Sequence, residues 1–219
     1  MSTISQLSRL TGLLILMVGA GPRLHSSPVQ CVVTAETPLL RAEAMAELVG
    51  QIQIDCRGGD PNSVQFLNLE LFLNVPITSD PTGIGTDELE ALLLIDDPLP
   101  AQWNTSNRVL YFGQVKGVPG VAPGPAGGLG APGSGNVYAA ERVPNAPNRI
   151  RWSGIPFVPA PVGELRTLRI VNVRADLTSL DGSGPEPPTV RAWLATSGAG
   201  LLLVNSQVVL GYAVSSLQV

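Results

Sequence analysis

Glycine and proline punctuate this chain so densely that a helix of respectable length has almost nowhere to form. There are 24 glycines and 20 prolines, 44 of the 219 residues, and both types weaken a helix interior. From Val29 onward they combine with Asn and Asp to bound short runs that are either apolar or alternating. That is the pattern of strands joined by turns. "VQFLNLELFLNVPI" (64–77) has period two, with Phe66, Asn68, Glu70 and Phe72 on one side and Leu67, Leu69, Leu71 and Leu73 on the other, as in a half-buried strand.

The same reading gives strands at 31–36, 47–58, 108–115, 136–143, 149–158, 165–177, 189–197 and 201–214. Val49, Ile52, Ile54 and Cys56 share one side of the second. In 165–177, Leu168, Ile170 and either Val171 or Val173 interleave with Arg166, Arg169, Asn172 and Arg174. "ELEALLLIDDPLP" (88–100) reads as a buried strand, because Asp96-Asp97-Pro98 stops a helix within two turns. Only "PLLRAEAMAE" (38–47) has helix-forming composition, and ten residues are marginal without tertiary support. A helical turn and a bulged strand both remain open there. About ten strands in one domain of this length predict an all-β fold, an antiparallel β-sandwich of immunoglobulin-like or jelly-roll-like type.

"GVPGVAPGPAGGLGAPGSG" (117–135) tests three readings. Its glycine triplets slip by one residue at Pro123, and a collagen helix tolerates only glycine at every third place. A phosphate-binding loop needs GxxxxGK[ST] between strand and helix, whereas the lone lysine, Lys116, precedes the glycines. The segment is therefore expected to be a long flexible loop insertion between strands.

The N-terminus sets the compartment. One arginine, an apolar run "TGLLILMVGAG" and small residues at 18–20 read as a secretory signal within a 1–27 leader, leaving 28–219 as a single domain outside the membrane once the signal is cut. Two cysteines, Cys31 and Cys56, then lie in the exported part, and an even count there predicts a disulfide. Export to the cell surface or the extracellular space of a bacterium is the expectation.

Much chemistry is excluded by what is missing. The single histidine, His25, falls in the leader, so Ser-His-Asp, Cys-His and the usual zinc sites cannot be assembled from the mature chain. A net charge of −4 with one lysine and twelve arginines offers nucleic acid no basic face. No catalytic residue and no organic cofactor are assigned. Calcium is the one metal considered, with Asp80, Asp87, Asp96 and Asp97 as oxygen ligands, although the EF-hand spacing is absent; the alternative is that these aspartates end strands and line solvated turns. Three tryptophans, Trp103, Trp152 and Trp193, and three tyrosines, Tyr111, Tyr138 and Tyr212, could supply a sugar-stacking platform. Trp103, in the polar turn "PAQWNTSN", with Tyr111 and Trp152, is the candidate ligand-binding set.

"CVVTAETPLLRAEAMAELVGQIQIDCRGGD" (31–60), "LELFLNVPITS" (70–79), "EALLLIDDPLP" (90–100) and the strand ending R-A-D at 174–176 resemble a group of secreted proteins of unknown function from soil Acidobacteria. The resemblance implies export and β-structure and supplies no catalytic residue. Two functions follow as expectations. One is a secreted, non-enzymatic structural or adhesive surface protein, a filament subunit whose C-terminal strand pairs with a neighbour's sheet edge. The other is a carbohydrate- or partner-binding module. Protein partners or self-assembly accompany the first, a polysaccharide the second.

Overall fold

The computed structural model describes residues 28–81, 87–96, 137–180, 186–198 and 200–215. The leader, strand 108–115, the Gly/Pro segment 117–135, Asp97, Trp103 and Tyr111 lie outside the described residues. Among those described there is no helix. Thirteen strands run in the order β1 (Val29–Ala35), β2 (Leu39–Arg41), β3 (Glu47–Leu48), β4 (Ile52–Arg57), β5 (Gln65–Leu73), β6 (Glu88–Ile95), β7 (Val137–Arg142), β8 (Arg149–Phe157), β9 (Arg166–Val171), β10 (Arg174–Ala175), β11 (Thr189–Ser197), β12 (Leu201–Leu203) and β13 (Gln207–Val214).

Where alternation is clean, strand and face both follow it. Leu67, Leu69, Leu71 and Leu73 of β5 are buried to the last few square ångströms, while Phe66 and Asn68 are exposed and Glu70 and Phe72 half-exposed. Strand β6 is buried on both faces: Leu89, Ala91, Leu93 and Ile95 enter the main core, and Leu92 and Leu94 join Val137 in a second apolar cluster. That explains why its sequence is a continuous apolar run rather than an alternating one.

Three expected strands are broken. The 47–58 strand divides at Gly50, where a Cβ would stand 1.9 Å from the Glu36 carbonyl oxygen and the N–H donates to the Leu210 carbonyl at 2.8 Å. A residue with a side chain would prevent this close approach. The 165–177 strand divides at Asn172, whose φ of 59° lies in the left-handed region that Asn tolerates. That turn reverses the facing, so Val173 is buried and Val171 half-exposed. The 201–214 strand divides at 204–206 into β12 and β13. Segment 38–47 forms no helix: its first residues make β2, a single hydrogen-bonded turn from Arg41 to Ala44 follows, and its last residue begins β3.

Eleven strands hydrogen-bond in one continuous order, β12-β1-β4-β9-β6-β7-β8-β5-β11-β13-β2, with β10 and β3 as a separate ribbon. The strands therefore make one curled sheet, a half-barrel, rather than two separately bonded layers. It is also mixed: β12 is parallel to β1 and β2 is parallel to β13, in place of the all-antiparallel arrangement expected. Both parallel partners are three-residue strands recruited at the ends of the order, too short to register as separate strands in a sequence.

The curl is held by the turn after β12, which brings the ends of the sheet together. Val204 N–H donates to the Cys31 carbonyl, Leu194 N–H donates to the Ser206 carbonyl, and Gly50 bonds Leu210. Asn205 acts as a substitute strand partner for β1: its Oδ1 accepts from Val33 N–H at 2.9 Å and its Nδ2 donates to the Val33 carbonyl at 2.6 Å. A side-chain amide here occupies backbone groups that would otherwise template another chain. One core, fed by β1, β4 and β9 from one limb and β5, β8, β11 and β13 from the other, fills the inside of the curl.

Cys31 and Cys56 face each other across β1 and β4 and form the expected disulfide, buried in that core. The loop closed spans 25 residues, for which loop-closure entropy gives about 3 kcal/mol. The double variant Cys31→Ala, Cys56→Ala is expected to melt roughly 6–12 °C lower. An unchanged melting midpoint would show that the bridge adds nothing to the hydrogen bonds across these strands.

Candidate functional site

Of the four carboxylates considered for calcium, the three that are described, Asp80, Asp87 and Asp96, form no metal-holding group. Asp96 binds Arg166 in an ion pair and accepts from Thr167 N–H at 3.2 Å, so its oxygens serve a guanidinium. Asp80 and Asp87 contribute backbone carbonyls, to Glu90 and Arg142 N–H respectively. Among the described residues no three His, Cys, Asp or Glu side chains lie close enough to hold a metal ion. Asp97 falls outside this description.

Trp152 is corrected from ligand contact to core residue. It is 1% exposed, and its Nε1 donates to the Tyr138 carbonyl at 3.1 Å, so neither ring face is open to a ligand. Ile150 shares its inward side, and Arg149 and Arg151 take the outward one. Tyr138 is buried as well, and burial pushes its phenol well above the usual tyrosine range.

Among the described residues, the aromatic side chains that reach the surface converge on the outer face of β8, β5, β11 and β13. Strand pairing sets residues directly opposite one another on that face. One row across the sheet reads Arg149, Phe72, Trp193, Gln207. The next reads Glu141, Arg151, Glu70, Ala195. Trp193 is 37% exposed, and the core side of its strand is filled by Val190, Ala192 and Leu194. Arg149 lies over the Phe72 ring at 4.3 Å from the centroid, a cation–π contact that fixes the ring beside Trp193. Beyond the row, Tyr212 and Leu39 are paired and exposed.

Polar groups frame the aromatics. Arg149 reaches Glu70 at 3.7 Å and Arg151 reaches Glu141 at 3.2 Å. Asn68 accepts from Gly154 N–H and donates to the Ser197 hydroxyl. At a β-bulge between Val190 and Arg191, the Asn74 side chain accepts from Arg191 N–H at 2.8 Å and donates to the Thr189 carbonyl at 3.0 Å. Arg191 is thus presented outward from a pinned backbone, its Nε donating to Thr189 Oγ1 at 3.1 Å.

A depression of about 340 Å³ elsewhere, lined by residues of β6, β9 and the β3–β4 connection, contains Arg169 as its one ionisable group among the described residues. It offers no acid–base pair. The outer aromatic face is the stronger candidate site, because it sets an exposed indole beside a second ring and hydrogen-bonding side chains.

The chain matches no protein-family model and none of the curated proteins. The choice of Trp152 over Trp193 overlooked a signal that was present. Period two sets Trp193 with Arg191 on one side of "TVRAWLATS" and Val190, Ala192 and Leu194 on the other, and it sets Trp152 with Ile150.

Proposed function

We propose that this is an exported, non-catalytic binding domain of adhesive type that holds an extracellular polysaccharide on the outer face of β8, β5, β11 and β13. The observation that carries the reading is the row Arg149, Phe72, Trp193, Gln207, in which an exposed indole is flanked by an immobilised ring and hydrogen-bonding side chains. An aromatic face offers apolar area to the C–H side of a sugar ring, and the surrounding amides and hydroxyls bond its hydroxyls. The buried disulfide fits an oxidising compartment outside the cytoplasm.

Self-assembly through the C-terminal strand has less support. Strand β13 pairs with β11 on one side and with β2 on the other, so it already has partners within its own chain. The ends of the sheet order are β12 and β2, three residues each, and short edge strands are poor templates for addition.

The test is affinity electrophoresis of the secreted protein through gels containing soluble polysaccharides, with Trp193→Ala beside the wild type. Losing the indole should weaken binding about tenfold or more, as expected when roughly 1.5 kcal/mol or more of aromatic burial is removed. Equal retardation of both proteins, or concentration-dependent polymers in light scattering without glycan binding, would overturn the reading in favour of self-assembly.

A further inference from the structure

One guanidinium on the aromatic face, that of Arg191, bonds a hydroxyl and no carboxylate among the described residues. The rows around Trp193 bring together three guanidinium groups, Arg149, Arg151 and Arg191, with the carboxylates of Glu70 and Glu141, and Glu88 lies opposite Glu141 at the β6 end of the second row, the far end from Arg191. Glu70 is engaged by Arg149 and Glu141 by Arg151. Arg191 is left with a hydroxyl, Thr189 Oγ1, as its bonded neighbour. A guanidinium has five donors in a planar fork, so most of its capacity is directed outward. Its position is not incidental, because the bulge and the two Asn74 hydrogen bonds fix the backbone that carries it; bulges commonly re-aim a side chain next to a functional site.

Arg191 and Trp193 are two residues apart on one strand and point to the same side, which sets their Cα atoms about 7 Å apart. A sugar ring stacked on the indole therefore has a cation beside it, at the scale of one substituent. We infer that the polysaccharide held on this face is acidic, a polymer whose rings carry carboxylates, with Trp193 stacking against the ring and Arg191 taking the carboxylate. The planar fork of arginine matches a carboxylate through two parallel hydrogen bonds, which a lysine could not reproduce. This inference rests on the glycan-binding reading and adds the charge of the ligand to it.

The experiment compares polygalacturonate with the same polymer after methyl esterification, which keeps the ring and removes the charge, and with dextran. Wild-type protein should bind polygalacturonate about ten- to a hundredfold more tightly than the ester, as expected for a charge-assisted pair, with the preference shrinking as salt rises. Arg191→Gln should abolish the preference while its melting temperature stays that of the wild type, and Arg191→Lys should restore it in part. Binding of ester and acid with equal, Trp193-dependent affinity would sink the acidic ligand and leave the glycan-binding domain standing. Undiminished preference in Arg191→Gln would likewise overturn the role given to Arg191. Absence of any Trp193-dependent retention would remove both readings together.

Discussion

Replacing Trp152 by alanine is expected to destabilise the protein by about 3–5 kcal/mol, the range for emptying a buried tryptophan site. The melting midpoint should fall by roughly 6–20 °C for a chain of this size. Trp152 sits on β8 opposite Leu69 of β5, in a core that also takes Leu67, Leu71, Ile150 and Leu194. Backbone pairing on both sides of β8, to β5 and β7, limits how far the walls can collapse into the void. The substitution also leaves the Tyr138 carbonyl without its indole donor. Trp152→Phe separates the two contributions: it keeps most of the ring volume and loses the N–H, for an expected cost of about 1–3 kcal/mol. Urea unfolding measures both. A Trp152→Ala midpoint equal to that of the wild type would mean that the ring is not in the core.

The contrast with Trp193 is the functional point. Trp193→Ala should leave the unfolding midpoint within about 0.5 kcal/mol of wild type, as for surface substitutions generally, and should remove glycan binding. Trp152→Ala should do the reverse while it remains folded. That pair of outcomes would divide stability and recognition between two tryptophans on strands of one sheet.

How far the sequence discloses this arrangement depends on what each residue answers to. Strands such as β5, β9 and β11 alternate because one face meets the core and the other meets water, so position and facing are both legible. The breaks at Gly50 and at 204–206 answer to distant carbonyls, Leu210 for the first and Cys31 for the second. Nothing local in "LVGQI" or "LVNSQ" names those partners. Strand order is hidden for the same reason: β12 and β13 are neighbours in the chain and lie near opposite ends of the sheet order, which a pattern read along the chain cannot express. The aromatic face is intermediate. Parity places Trp193 outward, but bringing Phe72 and Arg149 beside it requires the register of three strands.

Arg166 shows the limit most sharply, because the pattern of its strand groups it with the solvent-facing arginines and the fold buries it. It is 8% exposed, on the same side of β9 as Leu168 and Ile170. Its Nε donates to the Val158 carbonyl at 2.8 Å, and its Nη1 bonds the Asp96 carboxylate, which also accepts from Thr167 N–H. Asp96 ends β6 with a φ of 55°, a conformation asparagine adopts at little cost. Asp96→Asn therefore removes the charge and keeps the turn, leaving a mostly buried guanidinium without its counter-ion. Loss of one partner from a buried pair costs about 3–5 kcal/mol, and Arg166→Met should fall toward the lower end of that range because the carboxylate loses its cation and keeps the Thr167 N–H. The double variant leaves neither ion uncompensated, so its cost should be smaller than the sum of the single costs by at least about 1 kcal/mol. A double-mutant cycle in urea measures that difference. Strict additivity would mean that the two side chains do not share a bond in solution.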